Sequence, residues 1–273
     1  MIDPQLHNQL RQQYNPDGSL LRKLQLSLMD NLIEFDRVCK KEGVQYWLDA
    51  GTLLGAARHG GFIPWDDDLD VCIMKKDRKK LKEAMDRELN PSFRYEDANL
   101  KKYTASRCAR LRNNHVFVLR KTINPKNLNE NRIRKDNTWL DVMFLVNGKP
   151  NVSKAIDKVF CPSIRRRFKI IDDGLLRRIA GIILYYLSWI AVGILTLWGK
   201  LFQRKLLIFD YGTGFYAQRV TDEIFPLKDI EFEGHYFPAP HDCDQYLKRL
   251  YGDWNKIPDV KWDHNIIDIE ENK

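Results

Sequence analysis

The segment Tyr46–Met74, YWLDAGTLLGAARHGGFIPWDDDLDVCIM, decides the fold. An apolar run, Tyr46-Trp47-Leu48, leads to a Gly51-Thr52 pair. A Leu/Ala-rich stretch and a glycine-rich loop follow, and the segment ends in Asp68-Leu69-Asp70-Val71. This order predicts strand, turn, short helix, loop and strand, with the last strand over residues 69–74. Side chains two apart on a strand share a face, so Asp68 and Asp70 are expected to project together, about 7 Å apart. Carboxylates held that close repel unless a cation sits between them. Hard oxygen ligands of this kind suit Mg²⁺ or Mn²⁺. Upstream, Gly51 lets the backbone approach a ligand closely. Thr52 is placed to cap a helix over Leu53–Arg58, whose N-terminus would receive a phosphate, and Arg58 and His59 add donors at its far end. A phosphate cradle followed by a paired-aspartate metal site is equipment for phosphoryl or nucleotidyl transfer.

Three segments together resemble one family. GTLLGAARHGGFIPWDDDLDV (51–71) resembles the signature of the LicD/fukutin-related family of the nucleotidyltransferase-fold superfamily. Trp139-Leu140-Asp141-Val142-Met143-Phe144 resembles its third-carboxylate strand. Phe232-Glu233-Gly234, Pro240, Tyr246-Leu247 and Tyr251-Gly252-Asp253-Trp254 resemble its C-terminal signature. The resemblance implies an α+β, polymerase-beta-like nucleotidyltransferase fold: a mixed sheet flanked by helices, here with a hydrophobic helical insertion. It implies that Asp68, Asp70 and Asp141 are the catalytic carboxylates and the ligands of Mg²⁺ (or Mn²⁺). It also implies substrate contacts from Gly51, Thr52, Arg58, His59, Trp65, Asp66 and Glu233. Members of this kind move phosphocholine, ribitol phosphate or a similar phospho-alcohol from a CDP-linked donor to a hydroxyl of a cell-surface glycan or its lipid-linked precursor, releasing CMP. A glycan or lipid-linked oligosaccharide is therefore the expected acceptor.

Several roles stay open at this level. Asp141 either shares a second ion or serves as a general base. Independently of any family, a lone charge in the apolar strand expected over 138–146 is costly to bury, and a metal beside it removes that cost. Asp66 and Asp67 are either ligands or loop hydrogen-bond partners. Trp65 either stacks on a base or packs under the loop. His59 and Glu233 are each either functional or structural. Transfer of NMP from an NTP to a small molecule or protein would use the same carboxylates. Asp66, Asp68 and Asp70 also fit positions 1, 3 and 5 of an EF-hand loop, but Val71 and Asp77 stand where that loop needs Gly and Glu.

The chain has 273 residues, enough for one large domain or a domain with an insertion. Its net charge of +8 points to anionic partners: nucleic acid, anionic lipid or nucleotide diphosphates. The family reading has no part for nucleic acid. Five scattered cysteines without metal-ligand spacing read as reduced thiols, and no signal peptide is visible at MIDPQLHNQL. The expected location is cytoplasmic, at the inner face of the membrane.

That last expectation comes from Ile179–Gly199, IAGIILYYLSWIAVGILTLWG, 21 residues without a charge. As a helix it would be about 31 Å long, against a hydrocarbon core of ~30 Å. Arg165, Arg166, Arg167, Arg177 and Arg178 precede it, and Lys200, Arg204 and Lys205 follow. A single span would put the aspartates and the C-terminal signature on opposite sides of a membrane. A non-spanning element is therefore expected: a helix in the interface, or a helical hairpin broken near Ser188 or Gly193. A buried helix pair is the alternative. The expected division is a catalytic domain in two parts, 1–150 and 209–273, around a membrane-associating insertion at 151–208.

Elsewhere, residues 1–17 are expected to be loosely held, and Leu20–Lys41 and Lys75–Leu89 to be amphipathic helices. Phe93–Tyr95, Thr104–Leu111 and His115–Leu119 are expected strands. Polar residues 121–136 read as a loop, Glu231–Phe237 as a single strand and Asp242–Tyr251 as a helix. The acidic tail after Pro258 reads as mobile.

Overall fold

A computed structural model describes residues 2–97, 108–124, 127–167, 169, 171, 174–259 and 264–272. The chain begins with helix α1 (Pro4–Tyr14), where a loosely held segment was expected. Asp3 caps it, accepting from the Gln5 and Leu6 amides, with Pro4 in the first turn. Leu10 and Tyr14 then pack on the core. Helix α2 (Leu20–Glu42) is capped by the Ser19 hydroxyl and ends at Gly43 in the left-handed conformation. Its apolar stripe, including Leu24, Leu28, Leu32 and Phe35, is buried.

The deciding segment forms strand β1 (Trp47–Leu48), helix α3 (Ala50–His59) and strand β2 (Asp70–Met74). Helix α4 (Arg78–Glu88) and strand β3 (Phe93–Glu96) follow. Strands β4 (Ala109–Asn124) and β5 (Asn127–Asn147) are the long members of the sheet. Helices α5 (Pro150–Arg167) and α6 (Leu175–Phe202) lie between β5 and strand β6 (Leu206–Phe209). Strand β7 (Arg219–Val220), helix α7 (Thr221–Ile224), strands β8 (Lys228–Phe232) and β9 (His235–Ala239), helix α8 (Cys243–Tyr251) and strand β10 (Ile266–Glu271) complete the chain.

The result is an α+β molecule with a mixed sheet flanked by helices. Strands run in the order β1-β2-β5-β4-β10, with β3 also on β4 and β6-β7 continuing from β5. The β2–β5 pair is parallel, and it sets Asp70 opposite Asp141. Helix α2 packs across β4, β5 and β10, while α3 packs on β2 and α8.

Three further expectations are corrected. Of the residues 121–136 read as a loop, 121–124 and 127–136 belong to the arms of the β4–β5 hairpin, with Lys121 opposite Ile133. A ribbon outside the core needs no apolar alternation, so its sequence carries no strand signature. The acidic tail read as mobile forms β10, which pairs with β4 and sets Glu270 against Lys135. Its acidity answers the basic edge beside it. Glu231–Phe237 is a hairpin, with Glu233 and Gly234 both at positive φ in the turn. The strand expected over Thr104–Leu111 lies partly outside the described residues.

Helix α6 is a continuous helix of 28 residues, so of the two non-spanning forms expected, the hairpin broken near Ser188 or Gly193 is not the one formed. The Ser188 hydroxyl donates to the Leu184 carbonyl within the helix.

Candidate active site

The site is assembled where β1, α3 and the loop into β2 meet. Ala50 opens α3 at φ +45°, an uncommon conformation for a residue with a side chain. Gly51 is required next: a Cβ there would stand 2.7 Å from Asp66 Oδ2. At Gly55 a Cβ would run into the Gly61 carbonyl and come within 3.1 Å of the Ile63 amide nitrogen. These two glycines let the loop carrying the aspartates lie directly on the helix.

Thr52 does not cap α3. Its buried hydroxyl accepts from the Asp70 amide at 2.8 Å and so fixes the start of β2. The residue at the cap is Asp49, whose carboxylate turns inward instead. It accepts from Arg219 Nε (3.1 Å) and Nη2 (2.5 Å), from the Tyr246 hydroxyl (2.5 Å) and from Cys72 Sγ (3.1 Å). Burial works to raise the Asp49 pKa, but the Arg219 charge and these hydrogen bonds together hold it below the usual carboxylate range.

Strand β2 begins at Asp70, so Asp68 lies on the extended segment before it. The two nevertheless line one cavity of about 550 Å³, together with Asp66, Asp67 and the first turn of α3. Carboxylate oxygens of Asp66, Asp67 and Asp68 lie within 4.8 Å of one another. Burial, the charges of Asp68 and Asp67 and a hydrogen bond with Asp68 push Asp66 well above the usual range. Burial raises Asp70 likewise, followed by the charges of Asp68, Asp141, Asp49 and Asp66. Lost hydration and the Asp67 charge raise Asp68, though its side chain stays open to the cavity. Carboxylates that bind protons this tightly fit a divalent cation, which would remove the same repulsion.

Asp141 stands beside Asp70 across the parallel pair. Its oxygens accept from Arg110 Nε (2.7 Å) and Trp139 Nε1 (3.0 Å), and the Arg110 guanidinium lies 4.7 Å from the centroid of the Trp139 ring. Asp67 is engaged differently. Arg120 pairs with one of its oxygens, and His264 Nδ1 lies 3.1 Å from the other. These partners hold Asp67 below the usual range against its burial. His264 also bonds the Trp65 carbonyl, so the C-terminal segment clamps the aspartate loop.

Three residues expected to contact substrate also make bonds that hold the fold, and of these Arg58 lines the cavity. The buried Arg58 donates to the carbonyls of Trp254 (3.0 Å) and Lys256 (3.3 Å), fastening the C-terminal signature to α3. His59 is buried against Arg58 and His7, and burial with the Arg58 charge pushes its pKa to about 3, so it is neutral. Glu233 takes a bidentate pair from Arg22 (3.2 and 2.7 Å) and the Phe62 amide (3.1 Å), pinning the β8–β9 turn to the Gly60-Gly61 loop. Glu233→Ala leaves the Arg22 charge without its carboxylate and that amide without its acceptor. A stability loss of about 1–3 kcal/mol is expected in denaturant unfolding.

Trp65 is buried edge-on to Tyr14 and His59 while still lining the cavity. Arg120, His264 and the pair Asp49–Arg219 escaped the sequence reading. Each joins residues far apart in the chain with no local pattern.

Residues 43–152 match the model of the family described as LicD/FKTN/FKRP, nucleotidyltransferase domain. That segment of the chain is similar to the LicD nucleotidyltransferase domain. The chain is 29% identical over 257 residues to the lipopolysaccharide cholinephosphotransferase LicD of Haemophilus influenzae, covering 87% of this chain and 92% of that protein. A stretch of 40 residues is 58% identical to the ribitol 5-phosphate transferase FKRP of Homo sapiens, covering 15% of this chain and 8% of that one. Another, of 63 residues, is 43% identical to the uncharacterized protein RP689 of Rickettsia prowazekii, covering 23% and 24%. The chain is an enzyme, a phosphotransferase.

Proposed function

We propose that this enzyme transfers a phospho-alcohol group, phosphocholine or a polyol phosphate such as ribitol phosphate, from a CDP-linked donor to a hydroxyl of a cell-surface glycan or its lipid-linked precursor, releasing CMP. The observation that carries this reading is the register of Asp70 beside Asp141. It sets a third carboxylate next to a cavity already holding Asp68 and Asp70. The relatives whose names specify choline phosphate and ribitol 5-phosphate support the class of group moved.

Asp68, Asp70 and Asp141 would hold Mg²⁺ or Mn²⁺, and such an ion supplies charge neutralisation for a diphosphate and for the departing CMP. The first turn of α3, at Ala50 and Gly51, presents a helix N-terminus to the phosphates. Trp65, Tyr251 and Trp254 give the cavity flat walls, and Lys256 adds a cation. The acceptor oxygen forms the new bond to the phosphorus that carries the alcohol. The bond from that phosphorus to the oxygen retained by CMP breaks, and the proton of the acceptor hydroxyl passes to a carboxylate of the group. Arg110 and Trp139 orient Asp141 beside that path.

The test is CMP release from CDP-choline, CDP-ribitol and CDP-glycerol, with Mg²⁺ and glycan acceptor, against Asp68→Ala. Metal-dependent CMP release that falls at least about 10²-fold in the variant is expected. Pyrophosphate release from CTP or ATP, with no CMP from any CDP donor, would move the enzyme to nucleotidyl transfer.

A further inference from the structure

Helix α6 presents two unlike faces. One is covered along its length. Near the α5–α6 turn, Gly181 meets the Arg166 side chain, where a Cβ would stand 2.5 Å from Arg166 Cβ. Midway, Tyr185 and Trp189 meet Phe160 of α5, with ring centroids 6.5 and 5.7 Å apart. At the far end Gly199 lies directly on the Asn147 backbone of β5. The other face carries Ile179, Ile183, Leu187, Ile190, Ile194 and Leu197 at steps of three and four residues. Each is exposed, up to 64% at Ile194. An unbroken apolar stripe of this length is foreign to a surface that meets only water.

The charges say what covers it. Ile179–Gly199 has none, and α6 contains no acidic residue. Arg165, Arg166, Arg167, Arg177 and Arg178 gather at one end, and Lys200 and Arg204 at the other, where Lys205 is paired with Asp222. A second copy docked on this stripe about a two-fold axis would set a basic end against a basic end in either orientation. An anionic bilayer surface answers both ends at once. A transmembrane path is closed to it, because α5 and β5 occupy one side of α6 along its length and the basic turn would have to cross the hydrocarbon.

We propose that α6 is a membrane-docking element that lies in the plane of an anionic bilayer, its Ile179–Leu197 stripe immersed below the headgroups and its two basic ends on anionic lipid phosphates. The proposal is independent of the reaction: docking needs neither donor nor metal.

Full-length protein diluted from detergent is floated with vesicles of phosphatidylcholine alone and of phosphatidylcholine with about a third phosphatidylglycerol. Binding to the anionic vesicles at least about tenfold tighter, weakened in 0.5 M salt, is expected from basic residues each contributing near the surface. Leu187→Glu with Ile190→Glu, on the exposed stripe and away from the core, should abolish flotation and leave the thermal midpoint unchanged. Arg177→Gln with Arg178→Gln should lose the anionic preference and retain weak binding to both. External trypsin should cut bound protein at the basic turn. Equal binding to neutral and anionic vesicles, no binding to either, protection of the turn from external trypsin, or a dimer in solution that the double glutamate variant turns monomeric without vesicle binding would each overturn the proposal. Loss of CMP release with flotation intact would count against the transferase reading alone.

Discussion

Asp70→Asn is expected to lose transfer and gain stability. Removing one of three carboxylates that would hold the metal forfeits several kcal/mol of transition-state stabilisation, which is at least about 10³ in rate at roughly 1.4 kcal/mol per decade. The same change relieves the metal-free fold, because Asp70 is pressed by burial and by the charges of Asp68, Asp141, Asp49 and Asp66. The sign follows from proton binding. The folded-state pKa values of Asp66, Asp68 and Asp70 lie above their unfolded values, so the folded state binds more protons between the two. Their contribution to stability is greatest below the ordinary carboxylate range and is lost as pH rises through the raised values. The thermal midpoint of wild type in EDTA should therefore fall between pH 5 and 8. The midpoint of Asp70→Asn should fall less and lie above wild type at pH 8. Mg²⁺ should restore wild type at pH 8 and do little for the variant. Equal midpoints for the two proteins in EDTA at pH 8 would show that the carboxylates do not strain the fold.

That strain marks how far the sequence could be read. The segment from Tyr46 to Met74 was legible because its signals are local: an apolar run, glycines at tight approaches, and carboxylates crowded at the mouth of a strand. Asp141 was legible as the odd charge in an apolar strand, and the parallel register then placed it beside Asp70. For Arg58 and Glu233 the motif did not show what each side chain touches within the fold. Arg58 donates through Nη1 to the carbonyls of Trp254 and Lys256, and Glu233 accepts from Arg22. The polar ribbon of β4–β5 and the acidic β10 were missed for a physical reason as well. Strands held by backbone pairing and by charge across the pair bury too little apolar surface to leave a period of two. Helix α6 was legible in composition, while its continuity through Gly193 is a property of the packed pair α5–α6.

Arg219→Met should be the most damaging single substitution to the fold. Arg219 and Asp49 are each about 1% exposed, and the pair joins β7 to the turn that opens α3. The guanidinium donates to Asp49 and to the Tyr246 hydroxyl (2.6 Å), and lies 4.0 Å from the centroid of the Phe209 ring. Taking away the cation leaves Asp49 charged in a dry interior. The expected loss is about 3–5 kcal/mol, because an unpaired buried charge costs far more than the pair contributes. At about 2–4 °C per kcal/mol for a chain of this size, the thermal midpoint should fall by roughly 6–20 °C. Asp49→Leu combined with Arg219→Met should recover most of it, since the pair's net worth is small once both charges are gone. Denaturant unfolding of the two single variants and the double variant measures this coupling directly. A double variant no more stable than Arg219→Met would show instead that the loss lies in packing against Phe209 and Tyr246. The double variant also tests function. Asp49 sets the entry to Ala50 and Gly51, so a restored fold with transfer still depressed would mean that the buried pair holds the phosphate-facing turn of α3 in register with Asp68 and Asp70.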